Sequence, residues 1–343
     1  MNRIESVDLI RFFAIMAIIA IHTTPFAPVV NSPEIYSHLY IFINQISRFA
    51  VPFFFVTSGY FWGIKIRGGA DIISTSKNMI SRIGIIFLAW SIIYLLPFNM
   101  IAAFDHGMLG PVKVIYWNLV DLFKDPIKTL LQGGTEHLWF LVSLIFSISI
   151  CALFVKRKAY TLLCIISIVF YVSGVLLSSY AETPIGNTID FNTRNGPFFG
   201  LILFYSGYCL SGYTPTIKWF YYGLLIFISG SLIHFAEIYT LNVLFNISLV
   251  QDYVFGTLLM GIGMAMFALS NHSILRTKSL SKIGTMTLGI YASHYIFVIL
   301  LGPFDERFNS VAWEIGYVGI VLILSILTTY ALSRIKATRR LVL

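Results

Sequence analysis

The sequence predicts an all-α polytopic membrane protein, a single membrane-embedded domain over residues 1–343 with about ten transmembrane helices and both termini cytoplasmic. Three observations carry this prediction. Hydrophobic residues make up 57% of the chain and charged ones only 11%, whereas a soluble domain is about one-quarter charged. The apolar runs are long and continuous, as spanning helices require, and lack the short alternation of a barrel. Lys and Arg are also sorted by loop. With the N-terminus inside, sixteen lie at cytoplasmic positions and five at outer ones, and Arg11 and Arg48 within spans complete the 23. That asymmetry orients helical membrane proteins.

The elements follow in order. The first span, 7–28, is long enough to cross and lacks the cleavage pattern of a signal peptide. The second, 40–64, contains Pro52 and Gly59, which should loosen the helix and leave freed backbone groups facing protein or a cavity. The third, 81–101, follows a basic turn with Arg82. The longest outer segment, about 102–136, should hold a surface-lying amphipathic helix near 112–124. The fourth span, 137–155, and the fifth, 159–179, precede a polar loop at 180–195. The sixth, 196–212, and seventh, 217–235, are short, with Gly207, Gly212 and Pro215 softening their boundary. The eighth, ninth and tenth are 253–270, 283–302 and 312–332. These spans consume the chain and leave no soluble domain. The formal charge of +8 is accounted for by orientation and does not imply nucleic acid. Acidic residues, Glu136, Asp190 and Asp252 among them, gather on the outer side. Cys151, Cys164 and Cys209 lie in apolar runs without metal-type spacing, so no metal is expected.

Ionisable residues at bilayer depth are functional candidates by default. In RFFAIMAIIAIH, Arg11 and His22 are eleven positions apart, which places them on one helix face and about 16 Å apart along the axis. Arg48 lies about 12 Å below the outer boundary, His294 about 17 Å up the ninth span, and His22 about 22 Å up the first. Three polar groups at one level point to a shared interior cavity, while separate helix-packing roles stay open. Arg11 also suits a snorkelling anchor. Ser58, Gly59 and Tyr60, with Arg82 and the Lys65/Arg67 cluster, form a cationic inner mouth suited to a phosphorylated ligand, and the positive-inside bias explains the same charges equally well. His137 and Trp139 sit at the outer interface as substrate contacts or belt residues. The remaining histidines, His38, His106, His234 and His272, lie at span edges or in loops and receive no role. A buried base near an outer opening and a cationic inner mouth suit group transfer. His22 would act as general base, and Arg48 would orient the acceptor or stabilise an oxyanion.

Taken together, the R-x10-H of the first span, preceded by Asp8, the second-span RFAVPFFFVTSGYF, the basic turn at Arg82, HLWFL at the fourth span and YASHYIFV at the ninth resemble the integral-membrane acyltransferase family 3 over nearly the whole chain. The chain's size and its RFAVPFFFVTSGY style resemble the compact members that lack an extra hydrolase-like domain. The resemblance implies an O-acetyltransferase of bacterial surface polysaccharides such as O-antigen, acetyl-coenzyme A as acyl donor, a place in the inner membrane, and activity depending on Arg11 and His22. Two rivals stand beside it. One is a transporter of a small anion or lipid-linked sugar, disfavoured because no carboxylate lies deep in a span and no inverted repeat is visible. The other is an acyltransferase with a cytoplasmic acceptor.

Overall fold

The computed structural model describes residues 3–28, 32–305, 307–308 and 310–342, and among them every regular element is helical. The first half comprises α1 (Glu5–Thr23), α2 (Glu34–Ile46), α3 (Ala50–Arg67), α4 (Ile72–Ile93), α5 (Met100–Phe104), α6 (Gly110–Lys124), α7 (Pro126–Gln132) and α8 (Trp139–Lys156). The second comprises α9 (Tyr160–Leu176), α10 (Pro197–Leu210), α11 (Lys218–Phe245), α12 (Phe255–Leu269), α13 (Lys278–Gly284), α14 (Thr287–Asp305) and α15 (Val311–Arg334). Seven stretches are long and apolar enough to cross a membrane: α1, Glu34–Arg67, α4, Glu136–Lys156, α11, α14 and α15. The shorter apolar helices α9, α10 and α12 coincide with the fifth, sixth and eighth segments expected from sequence. The seventh expected segment is not short, because α11 continues for 28 residues.

Two local expectations are corrected. The second span is a 34-residue rod, Glu34–Arg67, broken by a 3-10 turn at Ser47–Phe49. Pro52 falls in the first turn of α3, where a missing N–H removes no helix hydrogen bond. The helix then runs unbroken through Gly59. Gly59 serves close approach: a Cβ there would lie 1.9 Å from the Phe204 carbonyl oxygen, and one on Gly207 would lie 1.9 Å from that of Val56. The paired glycines let α3 and α10 cross backbone to backbone, as small residues do between membrane helices. The third span also shifts. Asp71 caps α4 by accepting from the Ser74 N–H at 2.7 Å, so the helix begins at Ile72, and Arg82 lies within it, exposed, rather than in a turn before it. The amphipathic helix expected near 112–124 forms as α6, with Val112, Tyr116, Trp117 and Phe123 turned away from the bundle.

The core is packed around α1, α3, α8, α10 and α12, with Ala14, Ile15, Ile19, Phe53, Phe55, Val56, Ile148 and Phe204 fully buried. Helix α11 lies along α12, and α13 to α15 close around α1. At the end where α1 starts (the proximal end), Ser281 Oγ donates to the Glu5 carbonyl at 2.9 Å. At the distal end, the Phe26 N–H donates to Glu314 at 2.7 Å.

Candidate active site

A buried cavity of about 60 Å³ occupies the distal half of the bundle, with His22, Arg48, His137, Arg194, Asp252 and Tyr291 as its polar lining. Each polar residue comes from a different element, and several sit where a helix breaks or ends. His22 is in the last turn of α1. Arg48 occupies the 3-10 turn between α2 and α3, and His137 the one before α8. Arg194 precedes α10, Asp252 lies between α11 and α12, and Tyr291 is on α14.

Three imidazoles meet here. The His22 ring centroid is 5.3 Å from that of His294 and 6.2 Å from that of His137, and His137 and His294 are 5.1 Å apart. Tyr295 packs against His22 and His137 at 5.3 and 5.0 Å. His294 is fully buried. Its Nδ1 lies 2.6 Å from the Tyr291 carbonyl oxygen. A carbonyl only accepts, so Nδ1 carries the hydrogen and Nε2, across the ring, presents a lone pair. That Nε2 has no hydrogen-bond partner among the described residues, nor does Nε2 of His137. His137 is fixed through Nδ1, 3.1 Å from Thr135 Oγ1, and its carbonyl accepts from the Tyr291 hydroxyl.

Beside the imidazoles, one carboxylate holds two guanidiniums. Arg48 Nη1 donates to Asp252 Oδ1 at 2.8 Å, and Arg194 Nη1 donates to both Asp252 oxygens at 3.1 Å. Arg194 stacks over Trp139 at 5.5 Å, and its Nε is buried without a partner among the described residues. Burial pushes the Asp252 carboxyl up, but the two guanidiniums and the hydrogen bonds from Arg48 and Asn192 outweigh it and hold the group below its ordinary value. The trio carries a net charge of +1, a field suited to an anion or a developing oxyanion.

The polar network continues inward. Arg48 also donates to Asn44 Oδ1 at 3.0 and 3.2 Å, and Gln45 Nε2 donates to the same oxygen at 2.9 Å. Gln45 Oε1 faces His234 Nε2 at 2.9 Å, and His234 Nδ1 faces Thr257 Oγ1 at 3.0 Å. His234, expected at a span edge, is therefore fully buried within α11 and bonded through both nitrogens. It ties α11 to α2 and α12.

Of the residues singled out from sequence, the structure brings His22, Arg48, His137 and Trp139 to one cavity, with His294 against His22. It does not bring Arg11 there. Arg11 Nη1 pairs with Asp8 at 2.9 Å, beneath the Phe61 ring, and Asp8 also accepts from Arg3 Nε at 2.6 Å. Buried Ile15, Ile18 and Ile19 separate this cluster from His22. Ser58, Gly59, Tyr60 and Arg82 also lie outside the cavity, Tyr60 being packed in the core. Sequence reasoning missed Arg194 and Asp252, which it placed in outer loops. The available signal was the polar 180–195 loop abutting a short span, which left its charges room to fold inward. Among the described residues no group of three His, Cys, Asp or Glu is arranged to hold a metal ion.

An apolar helical bundle closed over a cavity of imidazoles and guanidiniums defines an integral membrane protein with its polar site inside the bundle. The profile of the acyltransferase domain of family 3 matches residues 4–331, and the chain belongs to acyltransferase family 3. Two curated relatives, both described as amino-acid racemases of Enterococcus faecalis, are 27% identical over 215 residues and 26% identical over 211 residues. The matches cover 59% and 58% of this chain, but only 27% and 28% of those proteins, so the chain spans about a quarter of their length. No solved structure matches.

Proposed function

We propose that this protein transfers an acyl group, acetyl in the first instance, from cytoplasmic acyl-coenzyme A to a hydroxyl of a surface glycan or lipid-linked glycan. It would do so within a bacterial inner membrane crossed ten times, with both termini cytoplasmic. The observation that carries the reading is the meeting of three imidazoles, two with unpartnered Nε2 atoms, beside a doubly bridged Arg48–Asp252–Arg194 cluster.

His22, half-buried and lining the cavity, accepts the proton of the attacking hydroxyl, a role that suits a neutral imidazole. The hydroxyl oxygen bonds to the thioester carbonyl carbon. The oxyanion that develops faces Arg48 and Arg194, whose hydrogen bonds and charge are already in place. Collapse breaks the carbon–sulfur bond, and the imidazolium returns its proton to the departing thiolate. The cavity admits only a few non-hydrogen atoms, which suits a small acyl group. Arg11, three turns along the same helix, takes the donor side.

Asp252 supplies the rival carrier reading with a carboxylate in the cavity itself, while family membership favours transfer. Mass spectrometry of surface glycan separates the two. Cells with the gene should carry an acyl increment that is missing both without the gene and with His22→Ala, although the variant protein still inserts. An increment that persists with His22→Ala removes His22 from the chemistry, and no increment with intact protein favours transport.

A further inference from the structure

A second cavity, of about 510 Å³, opens at the proximal end of the bundle, far from the imidazoles. It lies between the end of α3, the start of α4, the α8–α9 turn and the end of α10, with Arg67, Lys156, Lys158, Tyr160, Tyr208 and Ser211 around it and no carboxylate in its lining. Arg67 is already positioned. Its Nε donates to Ser211 Oγ at 3.1 Å and its guanidinium lies over the Tyr208 ring at 4.7 Å. Both terminal nitrogens are left without a hydrogen-bond partner among the described residues. A guanidinium fixed in this way offers a fork matched to phosphate oxygens. Tyr160 and Tyr208 are nearly parallel, 6.4 Å apart with 13° between planes; Tyr208 is buried beneath Arg67, and Tyr160 is exposed and presents aromatic surface beside the cations.

Lys158 lines the same recess. It occupies the left-handed region at φ 56°, where glycine or asparagine is the usual occupant. That conformation closes α8, with the Ala159 N–H donating to the Phe154 carbonyl at 3.0 Å, and it sets the Lys158 side chain at the rim of the recess. The positive-inside bias accounts for basic residues at this end. It does not account for their convergence on one acid-free recess or for the positioned Arg67 beside exposed Tyr160.

We propose that this recess binds a phosphate-bearing ligand, with the Arg67 fork and the Lys156 and Lys158 ammonium groups on the phosphate oxygens and the Tyr160 ring against the attached moiety. Two sources share that chemistry: the nucleotide end of the acyl donor, and the headgroup of an anionic phospholipid. The assignment does not depend on the transfer step at His22, so His22→Ala should leave binding here unchanged.

The test uses the full chain in phosphatidylcholine nanodiscs. Adenosine 3′,5′-bisphosphate is titrated by calorimetry, and in parallel the retention of phosphatidylglycerol over phosphatidylcholine is read by native mass spectrometry. At least one probe should bind, and Arg67→Gln should weaken it by about tenfold or more, as expected for a lost charge-assisted contact. Lys158→Gly removes the cation while relieving the backbone. It should weaken binding without lowering the unfolding temperature, a combination that a structural role would not give. A nucleotide response identifies a donor site and a lipid response a headgroup site. Binding of neither probe, or binding unchanged in both variants, overturns the proposal.

Discussion

Replacing Asp252 by Asn should destabilise the protein in a pH-dependent way. The carboxylate bridges Arg48 at 2.8 Å and Arg194 at 3.1 Å. At an effective dielectric near 20, one pair of charges about 4 Å apart attracts by about 4 kcal/mol before desolvation. Removing one member of a buried pair costs about 3–5 kcal/mol, because the partner is left uncompensated. The side chains of Asp252, Arg48 and Arg194 are 26%, 14% and 19% exposed, and solvent screening brings the expected loss to about 2–4 kcal/mol. The sign with pH follows from the lowered carboxyl of Asp252, whose ordinary value is 3.8. A depressed acid contributes its full stabilisation above the ordinary value and loses it as pH falls through the folded one. The gap in unfolding free energy between wild type and Asp252→Asn, measured by denaturant in detergent, should therefore be constant from about pH 7 to 5 and close below about 4. Asp252→Asn leaves two guanidiniums facing each other, so adding Arg194→Gln should recover part of the loss, with a coupling of about 1–3 kcal/mol. Additive effects, or a gap that stays open at low pH, would refute the bridge.

Three further outcomes are expected. His294→Asn keeps a donor for the Tyr291 carbonyl and deletes the Nε2 lone pair; acyl transfer should fall while the unfolding temperature holds, and retained activity would show that the lone pair is idle. Gly207→Ala drives a methyl into the Val56 carbonyl and should cost about 1–3 kcal/mol, whereas Gly319→Ala, which meets nothing within 4 Å, should be neutral or stabilising in the same unfolding assay. Arg11→Gln should raise the KM for acyl-coenzyme A more than that for the acceptor in steady-state kinetics, whereas an equal rise in both would place Arg11 outside donor recognition.

The helical class was legible because composition and run length report directly on the bilayer. The meeting of His22, Arg48 and His294 was legible because rise per residue converts position into depth. The errors share one origin. Pro52 and Gly59 read as weak points when only their own helix is considered, yet Pro52 starts a helix and Gly59 answers a backbone arriving from α10, 145 positions later (Phe204). Arg82 looked like part of a turn because the helix start at the Asp71 cap lies in a polar stretch that an apolar-run reading leaves outside the span. His234 was set aside as a boundary residue because its partners, Gln45 and Thr257, lie on other helices. Arg194 and Asp252 read as outer charges because a sliding hydropathy view assigns every polar stretch to water. Only the closed bundle shows that these loops turn inward and neutralise each other there.

The scattering of the cavity over the chain has a consequence for biogenesis. His22 and His294 are 272 positions apart. At about 5–20 residues per second, ribosomal synthesis separates them by about 14–54 s. Throughout that interval the early helices carry His22 and Arg48 without the imidazole and carboxylate that later accompany them, although unpaired polar groups are costly in lipid. The polar cluster around His22 is therefore incomplete until α14, the ninth apolar segment, has been made.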